Sequence, residues 1–241
     1  MLTEQTNWRQ LVARRGGEAK HTVAHQKTPI FLVIDDHDAV LQCLVPILRV
    51  SYPEAFLLAA QDCKTARRQI EQYQPDLVIL DLDLPEELGK MPRCEAGIRL
   101  LRTVMESHPA SNILVLGTSV RPLVRLKSDI YCYSAGFTAA DKTQPVPKLL
   151  KMIELSMRKS IHLPPDIRSR PDFKPQWLTL LTLKFQDGLS DRAIAQQMQV
   201  STRTLRSYWL HIQDALEVYD DPNLDLRVQI EHAARRAGLI D

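Results

Sequence analysis

Residues 75–85 read Pro-Asp-Leu-Val-Ile-Leu-Asp-Leu-Asp-Leu-Pro, and this stretch limits the fold of the chain more than any other. Its apolar run, residues 77–80, starts just after a proline and an acid and stops at another acid. Such a run is the pattern of a central strand covered on both faces, with Asp81 at its carboxyl end. Three more runs share it. Residues 30–34 (Ile-Phe-Leu-Val-Ile) end in Asp35-Asp36, residues 113–116 (Ile-Leu-Val-Leu) end in Gly117-Thr118-Ser119, and residues 137–140 lead into Asp141-Lys142. If these strands are parallel, the carboxylates of Asp35, Asp36 and Asp81, a hydroxyl and the Lys142 ammonium meet along one edge. That is the edge where open α/β sheets bind ligands. One aspartate at a strand end is ordinary turn chemistry; the ordered set indicates a site.

Between these runs the spacing is helical. Val40, Leu44, Ile47 and Leu48 predict a helix over 39–50, with Pro46 placed to kink it. A strand is expected over 56–60, then a helix to about residue 73 capped by Asp62. Further helices are predicted over 95–107, 122–133 and 146–158. Repeated strand-crossover-strand units imply a parallel sheet with helices on both faces. Residues 161–175 hold four prolines and read as an interdomain linker. From residue 176 only helical periodicity remains: 177–186, then 191–198 behind Ser190 as N-cap, then 202–217 behind Ser201, then 226–237 closed by Gly238. The second and third of these are joined by Gln199-Val200-Ser201, which makes a helix-turn-helix unit. Residues 1–28 carry five Lys/Arg against two acids and read as a basic arm.

An apolar content of 44% and a charged content of 25% are those of a globular protein. No apolar run approaches the ~20 residues of a membrane span, and the N-terminus lacks a signal-peptide core. The four cysteines are scattered without a Cys-x-x-Cys pair, so they read as reduced and structural, and the expected compartment is the cytoplasm.

With Ile34-Asp35-Asp36, Leu80-Asp81-Leu82-Asp83-Leu84-Pro85, Thr118-Ser119 and Lys142 in place, residues 29–160 resemble a response-regulator receiver domain. Gly188-Leu189-Ser190 with Ile194-Ala195, followed by Val200-Ser201 and Thr204-Leu205-Arg206-Ser207, resembles a LuxR/NarL-type DNA-binding domain over 176–241. The resemblance implies a flavodoxin-like (βα)5 parallel-sheet domain followed by a small all-α helix-turn-helix domain. It implies a regulator rather than an enzyme, in which Asp81 accepts a phosphoryl group from a histidine kinase. Two anions must then meet, so a divalent cation is needed, and Mg²⁺ prefers oxygen ligands. By resemblance Asp35, Asp36, Asp81 and the main-chain carbonyl of Asp83 would hold it, Lys142 would face the phosphoryl oxygens, and a hydroxyl would report the charge. Gly117, Thr118 and Ser119 all stand near the switch position, and the choice falls on Thr118. The sequence departs from the family in three places. Gly97 comes sixteen positions after Asp81, about twice the usual span, which leaves an insertion over 86–95. Ala139 and Ala140 replace an expected aromatic, with Phe137 as a substitute left open. Tyr208 and Ala215 stand where a histidine and a lysine are common.

In the output half, Thr202, Arg203, Arg206, Ser207 and Leu210 are expected on the outward face of a helix that enters the major groove of promoter DNA. Residues 172–241 nevertheless hold eight Lys/Arg and ten Asp/Glu, an unusual balance for a phosphate-binding surface. A homodimer on a two-part site would offset weak monomer binding, and the small-residue face of 226–237 is open between a dimer contact and packing within its own domain. The acidic balance and the insertion favour an alternative: a phosphorylation-independent adaptor acting through protein contacts. A metal-dependent hydrolase lacks a recognisable base.

Overall fold

In the computed structural model, which describes residues 9, 28–219 and 224–241, the chain divides into two compact units. One lies within Met1–Val120 and Ile130–Pro164, the other within Arg121–Asp129 and Pro165–Asp241. The basic arm, Arg9 excepted, lies outside the described residues. No helix among those described is long and apolar enough to cross a membrane.

The first unit is a parallel sheet in the order β2-β1-β3-β4-β5-β6. Its strands are β1 (Ile30–Ile34), β2 (Phe56–Ala60), β3 (Leu77–Leu80), β4 (Asn112–Gly117), β5 (Phe137–Asp141) and β6 (Ile161–His162). Every residue of β3 and β4 is buried, as the continuous apolar runs require of strands covered on both faces. The helices are α1 (Asp38–Ser51), α2 (Cys63–Tyr73), α3 (Cys94–Ser107) and α5 (Val146–Met157). Asp62 caps α2 by accepting from the Thr65 backbone N–H at 2.8 Å, and α1 runs on past Pro46.

Two expectations are corrected. Residues 161–175 are not a bare linker. Ile161–His162 pairs with β5, α6 (Pro165–Arg168) follows, and Phe173 is buried in the core of the second unit. Prolines forbid a long element but permit a two-residue edge strand and a helix that starts on proline. Residues 122–133 are not one helix of the first unit either. Arg121–Leu126 is a 3-10 turn that leads into α4 (Lys127–Cys132), and Arg121–Asp129 packs with the second unit. Val124 enters the second unit's core, and Arg125 donates to the Gly238 carbonyl at 2.7 Å and to Asp241 Oδ1 at 2.6 Å.

The second unit is otherwise α7 (Pro175–Phe185), α8 (Asp191–Gln197), α9 (Thr202–Ala215) and α10 (Leu226–Ala237). Ser190 and Ser201 cap α8 and α9 by accepting from Ala193 and Thr204. Gly238 ends α10 with φ 77°, a conformation that suits glycine. Leu180, Ile194, Leu205, Trp209 and Ile212 form the core, joined by Ile230, Ala233, Ala234 and Ala237. The small-residue face of the last helix is therefore spent inside its own unit. Arg227 stacks 3.5 Å above the Trp209 ring and donates to Asp191 at 3.1 Å, which ties α10 to α8 and α9.

Candidate functional site

Register decides the first part of the site. Ile34 lies beside Leu80, so Asp35 and Asp81, the residues that follow, stand next to each other where the strand order reverses. Backbone bonds hold both, Asp81 N–H to the Ile34 carbonyl at 2.9 Å and Asp35 N–H to the Ala60 carbonyl at 3.1 Å. Each is only 3% exposed. Lys142, just past β5, places Nζ 2.7 Å from Asp35 Oδ2 and 2.6 Å from Asp81 Oδ2. Burial pushes the Asp81 carboxyl up to about 6, although its hydrogen bond to Lys142 opposes the rise. Burial also works against the charge on Lys142, but its bonds to Asp35 and Asp81 outweigh that and keep it firmly protonated. The pair is thus an ammonium shared by two carboxylates, one of which is held reluctantly as an anion.

Asp81 Oδ1, the other oxygen, is buried without a hydrogen-bond partner, and the buried Asp36 Oδ1 has only His37 Nδ1 close by, at 2.7 Å. Unpaired buried carboxylate oxygens are costly unless something positive faces them. Gly117 lets the backbone approach that oxygen; a Cβ there would lie 3.6 Å from Asp81 Oδ1 and 3.2 Å from the Ser119 carbonyl oxygen. Asp35, Asp36, His37 and Asp81 each offer a donor atom, all within 4.8 Å of one another. The sequence pattern did not single out His37, although its place directly after the acidic pair was a signal. The clustered carboxylate oxygens fit a divalent cation.

The other expected members sit differently. The Asp83 carboxylate is exposed and outside the cluster, which leaves its main chain for any ligand role. Thr118 and Ser119 are both exposed, and neither hydrogen-bonds Asp81. Phe137 is fully buried in the sheet, so it does not replace the missing edge aromatic. The insertion is fixed rather than loose. The first two N–H groups of α2, those of Cys63 and Lys64, donate to the Pro85 and Glu86 carbonyls, and Arg93 N–H donates to the Leu84 carbonyl. Glu86 is gripped by Arg67 at 2.5 Å and Arg99 at 3.4 Å, while Leu88 and Met91 stand out to solvent.

In the second unit, α8, the turn through Gln199 at φ 55° and α9 form the helix-turn-helix. Thr202, Arg203, Arg206, Ser207 and Leu210 are all exposed on α9, opposite buried Leu205, Trp209 and Ile212. Neither arginine has an ion-pair partner among the described residues.

Residues 31–127 match the family described as response regulator receiver domain. The chain carries a receiver domain. Beyond the receiver, similarity to regulatory proteins extends along most of the chain. Transcriptional regulatory protein YdfI of Bacillus subtilis (strain 168) is 25% identical over 190 residues, 73% of this chain and 84% of the relative. Oxygen regulatory protein NreC of Staphylococcus carnosus (strain TM300) is 23% identical over 229 residues, 85% of this chain and 96% of the relative. Among solved structures, RcsB of Salmonella enterica serovar Typhimurium bound to promoter rprA superposes with a TM-score of 0.51 at 18% identity, covering 85% of this chain and 97% of that one. That likeness concerns the fold, and it agrees with the receiver architecture followed by helices.

Proposed function

We propose that this chain is a phosphorylation-controlled, DNA-binding regulator of transcription that accepts a phosphoryl group on Asp81 from a histidine kinase. The observation that carries the reading is the buried Asp81 at the sheet edge, with one oxygen neutralised by Lys142 and the other unpaired. Asp81 Oδ1 attacks phosphorus in line. A P–O bond forms as the P–N bond to the donor imidazole breaks, and the imidazole leaves with the electron pair and takes a proton. Asp35, Asp36, Asp81 and the Asp83 carbonyl would hold Mg²⁺, which when bound supplies the charge that lets two anions meet. Lys142, already at the carboxylates, offers its N–H groups to the transferred oxygens. Thr118 is then the nearby hydroxyl that reports the new charge, and within three residues of it the chain passes at Arg121 into the second unit. The regulator works in the cytoplasm, where kinase and promoter DNA are at hand, as a homodimer on a two-part site.

The test is phosphate incorporation from acetyl phosphate with Mg²⁺. Wild type should take up acid-labile phosphate and Asp81→Ala none; uptake by the variant would move the acceptor elsewhere. DNA binding has its own check. Arg203→Ala with Arg206→Ala should weaken binding to promoter DNA and reduce the slope of log affinity against log salt by about 2, since each arginine that neutralises a phosphate accounts for roughly one unit of slope. An unchanged slope would remove α9 from the DNA surface. The fixed insertion with exposed Leu88 and Met91 favours the second reading, an adaptor working through protein contacts, for which no salt-dependent DNA shift should appear at all.

A further inference from the structure

His37 follows the acidic pair at the start of α1 with its side chain 65% exposed. Its backbone N–H donates to Asp35 Oδ1 at 3.0 Å, which fixes the residue against the cluster. Its Nδ1 lies 2.7 Å from Asp36 Oδ1 and 3.3 Å from Asp35 Oδ1. One imidazole nitrogen therefore faces two carboxylates, and a nitrogen of this ring lies within 4.8 Å of donor oxygens on Asp35, Asp36 and Asp81. Asp81, 3% exposed and with its Oδ1 unpaired, belongs to the same cluster. Lys142 Nζ bridges the Oδ2 atoms of Asp35 and Asp81, whereas His37 meets Asp35 at Oδ1.

Resting on the reading of this cluster as the cation site, we propose that His37 Nδ1 is itself a ligand of the bound ion and biases the site toward nitrogen-accepting transition-metal ions over Mg²⁺. Mg²⁺ is small and hard, keeps several waters and favours oxygen ligands. Imidazole nitrogen adds little to its binding, because a water serves as well. For the first-row ions from Fe²⁺ to Ni²⁺ the imidazole is a preferred donor, and affinity rises along that series. Swinging an exposed ring onto an ion already held by carboxylates costs little, because the backbone of His37 is fixed and only side-chain torsions change. The same three aspartates then bind two kinds of cation, and the one neutral nitrogen donor discriminates between them.

The test uses the full chain with Co²⁺ alone and with Mg²⁺ alone, followed by calorimetry, for wild type, His37→Ala and His37→Gln. Carboxylates by themselves already rank Co²⁺ above Mg²⁺, so the quantity read is the change on substitution. Co²⁺ affinity should fall by at least about tenfold in both variants, on the scale of weakened support at metal sites, while Mg²⁺ affinity holds. Co²⁺-loaded wild type should also show a paramagnetically shifted, exchangeable imidazole N–H proton resonance that both variants lack. A Co²⁺ affinity indifferent to the substitution, or a parallel fall for both ions, overturns the proposal and leaves the cation reading standing. If neither ion binds wild type, both are overturned.

Discussion

Gly136→Ala should destabilise the first unit by more than about 3 kcal/mol, a cost beyond ordinary overpacking because the obstacle is main chain. A Cβ on Gly136 would lie 1.7 Å from the Ser156 carbonyl oxygen and 2.6 Å from its carbonyl carbon. Neither atom belongs to a flexible side chain. Ser156 is itself buried in the last turn of α5, where its Oγ donates to the Ile113 carbonyl at 2.9 Å and the Gly136 carbonyl at 3.3 Å. Gly136 N–H in turn donates to Asn112 Oδ1 at 2.9 Å. A methyl group must therefore push α5 away from β4 and β5, and β5 is the strand that delivers Lys142 to the aspartates. Urea melts of the full chain provide the measurement. Gly89→Ala is the contrast, since nothing lies within 4 Å of its Cβ and only φ +83° is strained, a cost of about 1–2 kcal/mol. Equal midpoints for the two variants would show that α5 does not approach the sheet this closely.

Asp81→Asn should stabilise the cation-free protein at pH 7.5, by at most about 3 kcal/mol, and raise the melting temperature of the first unit by roughly 5–10 °C. The carboxyl is nearly fully buried, and burial raises it from its ordinary 3.8 to about 6. A folded-state value above the unfolded one means that the native protein binds this proton more tightly. Stability linked to Asp81 therefore increases as pH falls through 6 and is complete below about 3.8; above pH 6 the ionised group is a net cost. The amide removes that cost, while Lys142 keeps Asp35 at 2.7 Å. Melting curves in EDTA should show the gap between wild type and variant wide at pH 7.5, narrower at pH 5.5 and closed near pH 4. A divalent cation at neutral pH should narrow it too, because the ion stabilises the same carboxylate. A gap that is constant with pH would mean that Asp81 is not strained by burial, and that the acceptor is an ordinary surface acid. The proposed phosphoryl acceptor would then be a carboxylate that the fold holds at a cost.

The acidic edge was legible because its signals are local. Apolar runs 77–80 and 30–34 each end in acids, and a parallel sheet has no choice but to bring those ends together. Capping was equally local: Asp62, Ser190 and Ser201 all accept the backbone N–H three residues on. The exposed face of α9 followed from the spacing of Leu205, Trp209 and Ile212 alone. His37 was missed because its place after the acidic pair, the one local signal, does not say that the exposed ring folds back within 2.7 Å of its neighbour's carboxylate.

What the chain determined by itself, then, was periodicity, capping and the chemistry at the strand ends, all of which depend on residues a few positions apart. What only the tertiary structure decided depends on partners far along the chain. Arg125 reads as an ordinary helical arginine until it meets Gly238 and Asp241, and that meeting takes residues 121–129 out of the first unit. The small residues of α10 suit a dimer surface or a core equally well, and the geometry of α7, α8 and α9 makes them core. Thr118 has the right chemistry to sense a phosphoryl group, yet the fold leaves it exposed and without a hydrogen bond to Asp81. Hydrophobic burial is non-directional, so a pattern records that a face will be covered and leaves to the assembled fold the identity of what covers it.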